Sequence, residues 1–205
     1  MQPSNRAYLF AKRAMDIALA VPGLCVLVLI FIPVAAAIKL NSRGPVFFLQ
    51  ERLTRGERPF LFFKFRTMAV GHVLSGEERD RINEMGGPLF KSRLDPRITA
   101  VGRVLRKFSL DELPQFVNVL KGDMSLVGPR PPLKHEVDRY EKWMRRRLSV
   151  RAGITGLWQV SGRSHLGYYR MMELDVDYVD HPSLFRDLVI LFKTVPSVLF
   201  GKGAW

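Results

Sequence analysis

The chain has one cysteine, Cys25, in 205 residues, so no internal disulfide can form and nothing points to an oxidising compartment. A bacterial-type cytoplasmic setting suits it. The histidines His72, His135, His165 and His181 lack zinc-ligand spacing, and neither a Ser-His-Asp set nor a glycine-rich phosphate loop is present. Zinc, serine-hydrolase and P-loop chemistry therefore have no sequence support. Acids are also scarce: 19 Asp+Glu against 32 Lys+Arg leave a formal charge of +13, which calls for an anionic partner such as nucleic acid, a phosphorylated substrate or an acidic membrane face. Glu173, Asp175, Asp177 and Asp180 lack the tight spacing and glycine turn of a metal loop and read as a solvated helix face. No linker divides the chain and no repeat recurs, so the length fits one domain or a smaller globular unit with a membrane element.

In one stretch polar residues vanish altogether. Ile17 to Ile38 is 22 residues without a charged, Asn, Gln, Ser or Thr side chain, bounded by Asp16 and Lys39. As one helix it would be roughly 33 Å long, about the thickness of a hydrocarbon core. A signal peptide would account for Lys12 and Arg13 ahead of the run and Ala35-Ala36-Ala37 at its end, but the run exceeds the usual apolar region of such peptides. A straight span needs a charge asymmetry, whereas Arg6, Lys12 and Arg13 flank one end and Lys39, Arg43, Arg52, Arg55 and Arg58 the other. Both ends read as cytoplasmic. A wholly apolar circumference of this length does not suit a buried core helix. Pro22, Gly23 and Pro33 weaken the helix from within, so a bent helix that enters one leaflet and returns satisfies charges and breakers together.

Beyond the run, Asn41 to Pro45 reads as a turn, Val46 to Leu49 as a strand, Thr54 to Arg58 as a loop and Phe60 to Thr67 as a returning strand. One face of that hairpin would present Phe60, Phe62, Lys64 and Arg66. Residues 69–95 form a polar loop with a short charged helix around Glu77 to Asn83. A basic amphipathic helix covers Arg97 to Phe108, and a second starts near Ser109 to Asp111, with Pro114 in its first turn, and ends at Gly122. Further helices are expected over Lys134 to Leu148 and over Leu184 to Phe200, the latter interrupted by Pro196. Such helices either pack in a core or lie in a membrane surface with basic side chains toward anionic headgroups. The expected class is α+β, mostly helical, with a small β-hairpin and amphipathic interfacial helices.

Chemistry concentrates at Asp111-Glu112. Ser109 followed by Glu112 fits a capping box, and an acid at Asp111 suits a first helical turn, so the pair alone reads as caps. Its surroundings add a second reading, because Lys64, Arg66, Arg106 and Arg130 can converge on phosphate oxygens there. Carboxylates alone would repel a diphosphate; Mg²⁺, which takes a few carboxylate oxygens plus substrate phosphates, resolves that conflict at Asp111 and Glu112. An ionised Asp can then serve as nucleophile, dividing one transfer between bulky substrates into two steps. Gly128-Pro129-Arg130-Pro131 is a rigid turn that would hold its arginine, or a simple link with a solvated one. Gly153 to Arg163 would line a nucleotide or sugar pocket, or form a turn and strand. The phenylalanines Phe60, Phe62, Phe63 and Phe65 among Lys64 and Arg66 offer a rival, a stacking surface for nucleic acid, which leaves the apolar run unexplained. A noncatalytic membrane scaffold is the other rival.

Several blocks in order resemble the bacterial sugar transferase family, the monotopic phosphoglycosyl transferases. They are Lys12-Arg13 with Asp16, Ser42 to Phe47, Lys64 to Met68, Asp95 to Thr99, Ser109 to Gln115, Asn118 to Pro131 and Gly153 to Arg163, spread over nearly the whole chain. The resemblance implies a re-entrant membrane helix over residues 1–40 and a transferase domain over 41–205 on the cytoplasmic face of the bacterial inner membrane. It implies a UDP-sugar donor, an undecaprenyl phosphate acceptor, Mg²⁺, Asp111 as the nucleophile that takes the phosphosugar with loss of UMP, and Glu112 as its partner in metal binding or proton handling. Lys64, Arg66, Arg106 and Arg130 match basic positions of the family's motifs and are assigned to phosphate recognition, with Arg163 a further candidate for substrate binding. Anionic lipids of the inner leaflet and a homodimer are compatible partners, and nucleic acid is not expected. The Trp158-to-Arg163 block and the Gly201-to-Trp205 ending look more like the exopolysaccharide branch, with UDP-glucose or UDP-galactose. Val28-Leu29 stands where the family usually has Ser-Pro, leaving Pro22 or Pro33 to break the helix, and Ala152-Gly153 replaces the usual Pro-Gly. Longer members carry further membrane helices and another domain, so the chain is expected to be the minimal form or an isolated catalytic part.

Overall fold

The apolar run becomes one helix, α1 (Arg6–Asn41), which continues through both Pro22 and Pro33. The structure, a computed structural model, describes residues 6–86, 88–162 and 166–199. Each proline removes a hydrogen bond from the ladder, yet side-chain packing bridges both positions. Asp16, Ala20, Leu24, Leu27, Phe31, Val34 and Ile38, spaced three or four apart, form a stripe that meets the rest of the protein along the length of α1. The other faces stay apolar and open, with Leu29 78 % and Ile32 76 % exposed.

Polar contacts fix α1 at both ends. Asp187, fully buried, accepts from Lys12 Nζ at 3.0 Å, Tyr8 Oη at 3.2 Å and Tyr178 Oη at 2.7 Å. Arg13 donates to the carbonyls of Val119 and Leu120, and Asp16 Oδ1 accepts from Ser125 Oγ and the Leu126 amide, each at 2.9 Å. At the far end Asn41 Oδ1 accepts the Val101 amide at 3.2 Å.

The expected hairpin forms from β1 (Phe47–Leu53) and β2 (Pro59–Phe65), antiparallel, with Phe48 opposite Lys64, Gln50 opposite Phe62 and Arg52 opposite Phe60. Phe47 and Phe65 stack with Phe31 of α1, while Phe60 and Phe62 enter the core on the opposite face beside Val119 and Met124. With Phe60, Phe62 and Phe65 buried, these rings form no exposed stacking surface for nucleic acid. In the loop that follows, α2 (Gly76–Ile82) is closed by a capping box between Ser75 and Glu78.

Helix α3 (Ala100–Lys107) is capped by Thr99, whose hydroxyl accepts the Gly102 amide at 2.9 Å. Helix α4 (Gln115–Lys121) stops at Gly122, in the left-handed region at φ 84°, as its composition requires. Asn118 on α4 is fully buried and behaves like a strand residue: its Oδ1 accepts the Phe63 amide at 3.1 Å and its Nδ2 donates to the Leu61 carbonyl at 2.7 Å. This satisfies backbone groups along β2 and docks α4 there.

A second sheet, which the sequence pattern did not reveal, pairs β3 (Met124–Val127) with β4 (Ala152–Thr155) in parallel. Between them the helix expected over Lys134 to Leu148 is reduced to α5 (Lys134–Val137) and a 3-10 segment, Met144–Ser149. The break sends Tyr140, Met144 and Leu148 together into a core with Trp158, Met171 and Met172, which one straight helix would not do. Short α6 (Leu157–Ser161) leads on to α7 (Tyr168–Asp180) and α8 (Leu184–Leu199), which includes Pro196. The acids of α7 are not a simple solvated face. Asp175 is buried against Arg147, with Arg147 Nε at 2.9 Å, while Glu173, Asp177 and Asp180 pair with Arg170, Arg186 and Arg146. The class is α+β and mostly helical, as expected.

Candidate active site

Asp111 and Glu112 do not cap a helix. They lie in a 3-10 turn, Leu110–Glu112, between α3 and α4, and Ser109 makes no side-chain cap bond. Ser109 instead adopts φ 52°, a left-handed conformation that costs a serine of order 1 kcal/mol. In place of a capping box the chain turns here between α3 and α4, which docks on β2 through Asn118. Leu110 and Leu113, on either side of the acids, pack with Leu27, Ile38, Phe65 and Leu105. The acid-bearing turn is thereby anchored against α1.

Asp111 is 3 % exposed and its Oδ2 lies 2.6 Å from Lys64 Nζ, across from β2. Arg106 approaches from the last turn of α3, held by a hydrogen bond from its Nε to Thr67 Oγ1 at 3.0 Å. Burial draws Arg106 below the usual arginine range, and the charges of Asp111, Asp95, and, more weakly, Glu112 oppose that shift. Asp95 forms a two-pronged pair with Arg97, Nε to Oδ1 at 2.9 Å and Nη2 to Oδ2 at 2.7 Å. Thr67 is itself pinned by α3, since the Thr99 amide donates to its carbonyl at 3.1 Å and Gly102 leaves it room.

Arg130 stands in the Gly128-to-Pro131 turn. That turn is built on a close backbone crossing: Gly128 donates to the Thr155 carbonyl at 2.9 Å, Gly153 donates to the Pro129 carbonyl at 2.8 Å, and a Cβ on Gly153 would fall 2.1 Å from the Gly128 nitrogen. Arg147 Nη2 donates to the Arg130 carbonyl at 2.9 Å, and Arg130 Nη1 lies 3.5 Å from Glu136 Oε2. The turn's backbone is fixed by these bonds, while the Arg130 guanidinium stays partly exposed.

Arg66 is a correction. The expected phosphate ligand lies just past the end of β2, is 4 % exposed, and donates to Ser42 Oγ at 2.6 Å and the Ser42 carbonyl at 2.9 Å, with Pro45 as a further acceptor. It clamps the turn after α1 and does not share Lys64's outlook. The second cation on that hairpin face is Arg52 of β1, which the sequence pattern marks only as a charge flanking the apolar run. Of the Gly153-to-Arg163 segment, Thr155 bonds Thr194 and Gln159 bonds the Ile154 carbonyl, while Arg163 lies outside the described residues.

The fold and site define a class: a protein that holds a buried, cation-paired acid in a turn whose flanking leucines pack with a long apolar helix. The chain belongs to the bacterial sugar transferase family, whose sequence profile matches residues 7–201. It is 44 % identical over 199 residues to galactosyl transferase CpsE of Streptococcus agalactiae, covering 97 % of this chain and 44 % of that protein. Exopolysaccharide production protein ExoY of Rhizobium meliloti is 41 % identical over 199 residues, 95 % of this chain and 88 % of ExoY. Undecaprenyl-phosphate galactose phosphotransferase of Salmonella typhimurium is 40 % identical over 215 residues, 98 % of this chain and 43 % of that protein. The chain thus spans under half of two of these relatives and most of the third.

Proposed function

We propose that this transferase moves a sugar 1-phosphate, with a hexose favoured, from a UDP-sugar to undecaprenyl phosphate in the first membrane step of exopolysaccharide or related glycan assembly. The observation that carries the reading is Asp111, buried and ion-paired to Lys64 at 2.6 Å within the field of Arg106. The names of the galactose-transferring relatives and of ExoY support the hexose and the pathway. In the proposed sequence an Asp111 carboxylate oxygen attacks the sugar-bearing phosphorus, an acyl phosphate bond forms, and the phosphoanhydride bond to UMP breaks. A phosphate oxygen of the polyprenyl acceptor then attacks the same phosphorus and restores the carboxylate. Lys64 holds one carboxylate oxygen and so orients the other, while Arg106 and Arg130 bind phosphate oxygens.

The donor set fits Mg²⁺. Two adjacent carboxylates in one turn would suit a cation that completes its shell with substrate phosphates and water. Because Lys64 already occupies Asp111 Oδ2, Glu112 would be the main ligand, with Asp111 beside it. When bound, the ion would neutralise phosphate charge and polarise the phosphorus.

The reading includes a helix α1 that dips into the cytoplasmic leaflet of the bacterial inner membrane and returns. Contacts of α1 with the same globular unit at Lys12 and at Asn41 support it, because a straight crossing would carry Asp187 and its partners into lipid. Basic residues at both ends of α1 would meet anionic headgroups. The test is incubation of the protein in lipid with a panel of UDP-sugars, Mg²⁺ and undecaprenyl phosphate, following UMP. Release with a UDP-hexose and a phosphosugar adduct on Asp111 are expected; no UMP with any donor, or an Asp111→Asn variant with full activity, refutes the reading.

A further inference from the structure

Arg52 has no place in the mechanism above, yet its surroundings are those of a binding group. It shares a hairpin face with Lys64 and stands four residues along from Lys64's partner Phe48, roughly 13 Å at the rise of a strand. Its guanidinium is aimed by three contacts. Nη1 donates to the Pro131 carbonyl at 3.1 Å, Nη2 donates to Gln50 Oε1 at 2.6 Å, and the group lies over the Phe62 ring, 5.4 Å from its centroid. The bond to Pro131 places it beside Arg130, one residue earlier in the turn. Its Nε is buried without a hydrogen-bond partner. Burial first, and Arg130's charge second, push Arg52 down to about 9, with Glu136, Tyr140 and Glu112 opposing.

The charge of Arg130 acts against that of Arg52, and a planar fork of donors on each matches the tetrahedral oxygens of a phosphate. Lys64 and Arg106 already serve the Asp111 side. A transfer from one phosphate ester to another must hold a second phosphate beside the one being moved. We propose that Arg52 and Arg130 form a second phosphate-binding subsite on the Glu112 side of the acid pair. Its occupant, which rests on the transferase reading, is a phosphate monoester: that of the departing nucleotide or that of the prenyl acceptor.

Binding to the full chain in lipid nanodiscs tests this without requiring turnover. The probes are UMP with uridine as its uncharged control, and a polyprenyl phosphate with the matching polyprenol. Arg52→Gln is expected to weaken one of the two phosphates by about tenfold or more, the scale of a lost hydrogen bond to a charged group, and its uncharged control by less than about twofold. Loss of UMP affinity assigns the subsite to the nucleotide; loss of polyprenyl phosphate affinity assigns it to the acceptor. The proposal fails if wild-type protein binds neither phosphate, if both affinities survive the substitution, or if phosphate and control weaken together, as a purely structural role would dictate. Gln50→Leu, which frees Arg52 Nη2 without removing the charge, should act in the same direction by a few-fold, and it decides the matter if Arg52→Gln does not fold. Absence of UMP release by the wild type with any donor would sink the transferase reading while leaving these affinities to be read independently.

Discussion

Replacing Gly102 by alanine sets two opposing effects against each other. A methyl there would lie 2.0 Å from the Thr67 carbonyl oxygen, 2.7 Å from its carbon and 2.9 Å from the Thr67 Cα. Carbon contacts settle at about 3.5–4.0 Å, so α3 and the Thr67 backbone must part by roughly 1 Å. All three obstructing atoms are backbone, and none can rotate away. Overpacking of this kind costs about 1–3 kcal/mol, and a rigid obstacle favours the upper half. Against it, alanine in a helix gains up to about 1 kcal/mol over glycine. The net expectation is a loss of about 1–2 kcal/mol, or roughly 2–8 °C in melting temperature for a chain of this size. The shift also disturbs the Arg106 Nε bond to Thr67 Oγ1, so UMP release at matched folded fraction should fall by about tenfold or more. Thermal melts in nanodiscs and initial rates measure both. A variant as stable as the parent or more so would show that helix propensity dominates and that the α3–Thr67 approach is not a constraint.

Lys64→Met removes the partner of a carboxylate that is 3 % exposed, and because the lysine itself keeps some contact with solvent the expected cost is about 1–3 kcal/mol, below that of a fully buried pair; chemical denaturation measures it, and no loss would mean that the pair is not formed. Ser109→Gly relieves a left-handed serine and should stabilise by up to about 1 kcal/mol, whereas destabilisation would argue against the strained turn. Burial would raise the Asp95 carboxyl, but the Arg97 hydrogen bonds and charge hold it below its ordinary value. Its stabilising share is therefore complete above the unfolded value near ~3.9 and lost as pH falls through the lower folded one. The stability gap between wild type and Asp95→Asn should stay constant from about pH 5 to 8 and narrow below about pH 4; a gap unchanged in acid contradicts the pairing.

Much of this architecture was legible from local signals. The charge-free run gave α1, the alternation of Phe60, Phe62 and Lys64 gave β2, and Gly122 marked the end of α4, because each depends on residues within a few positions of one another. The acid pair and its Lys64 neighbour came from motif blocks. Where local and distant demands conflict, the local signal misled. Ser109 and Glu112 have capping-box spacing, but the chain takes a left-handed serine and a 3-10 turn there, ahead of the docking of Asn118 on β2. Alternation placed Arg66 beside Lys64, yet the strand ends at Phe65 and the turn at Ser42 claims the guanidinium. Arg52 reached the site only through the register of β1 against β2, a pairing that no single segment announces. The parallel sheet of β3 and β4 likewise joins segments separated by more than twenty positions, with short strands that carry no alternating pattern.

The stripe of contacts along α1 bears on how deep the chemistry sits. Asp111's turn is packed through Leu110 and Leu113 on the same cluster that grips Leu27 and Ile38, and a Cβ on Gly23 would strike the ring of Phe116 at 2.5 Å. No flexible tether separates the apolar helix from the acids. On the proposed reading, the height of the carboxylates above whatever lipid surface α1 enters is set by interlocked side chains, so the protein would act as its own depth gauge and a substrate phosphate would have to be presented at that fixed level.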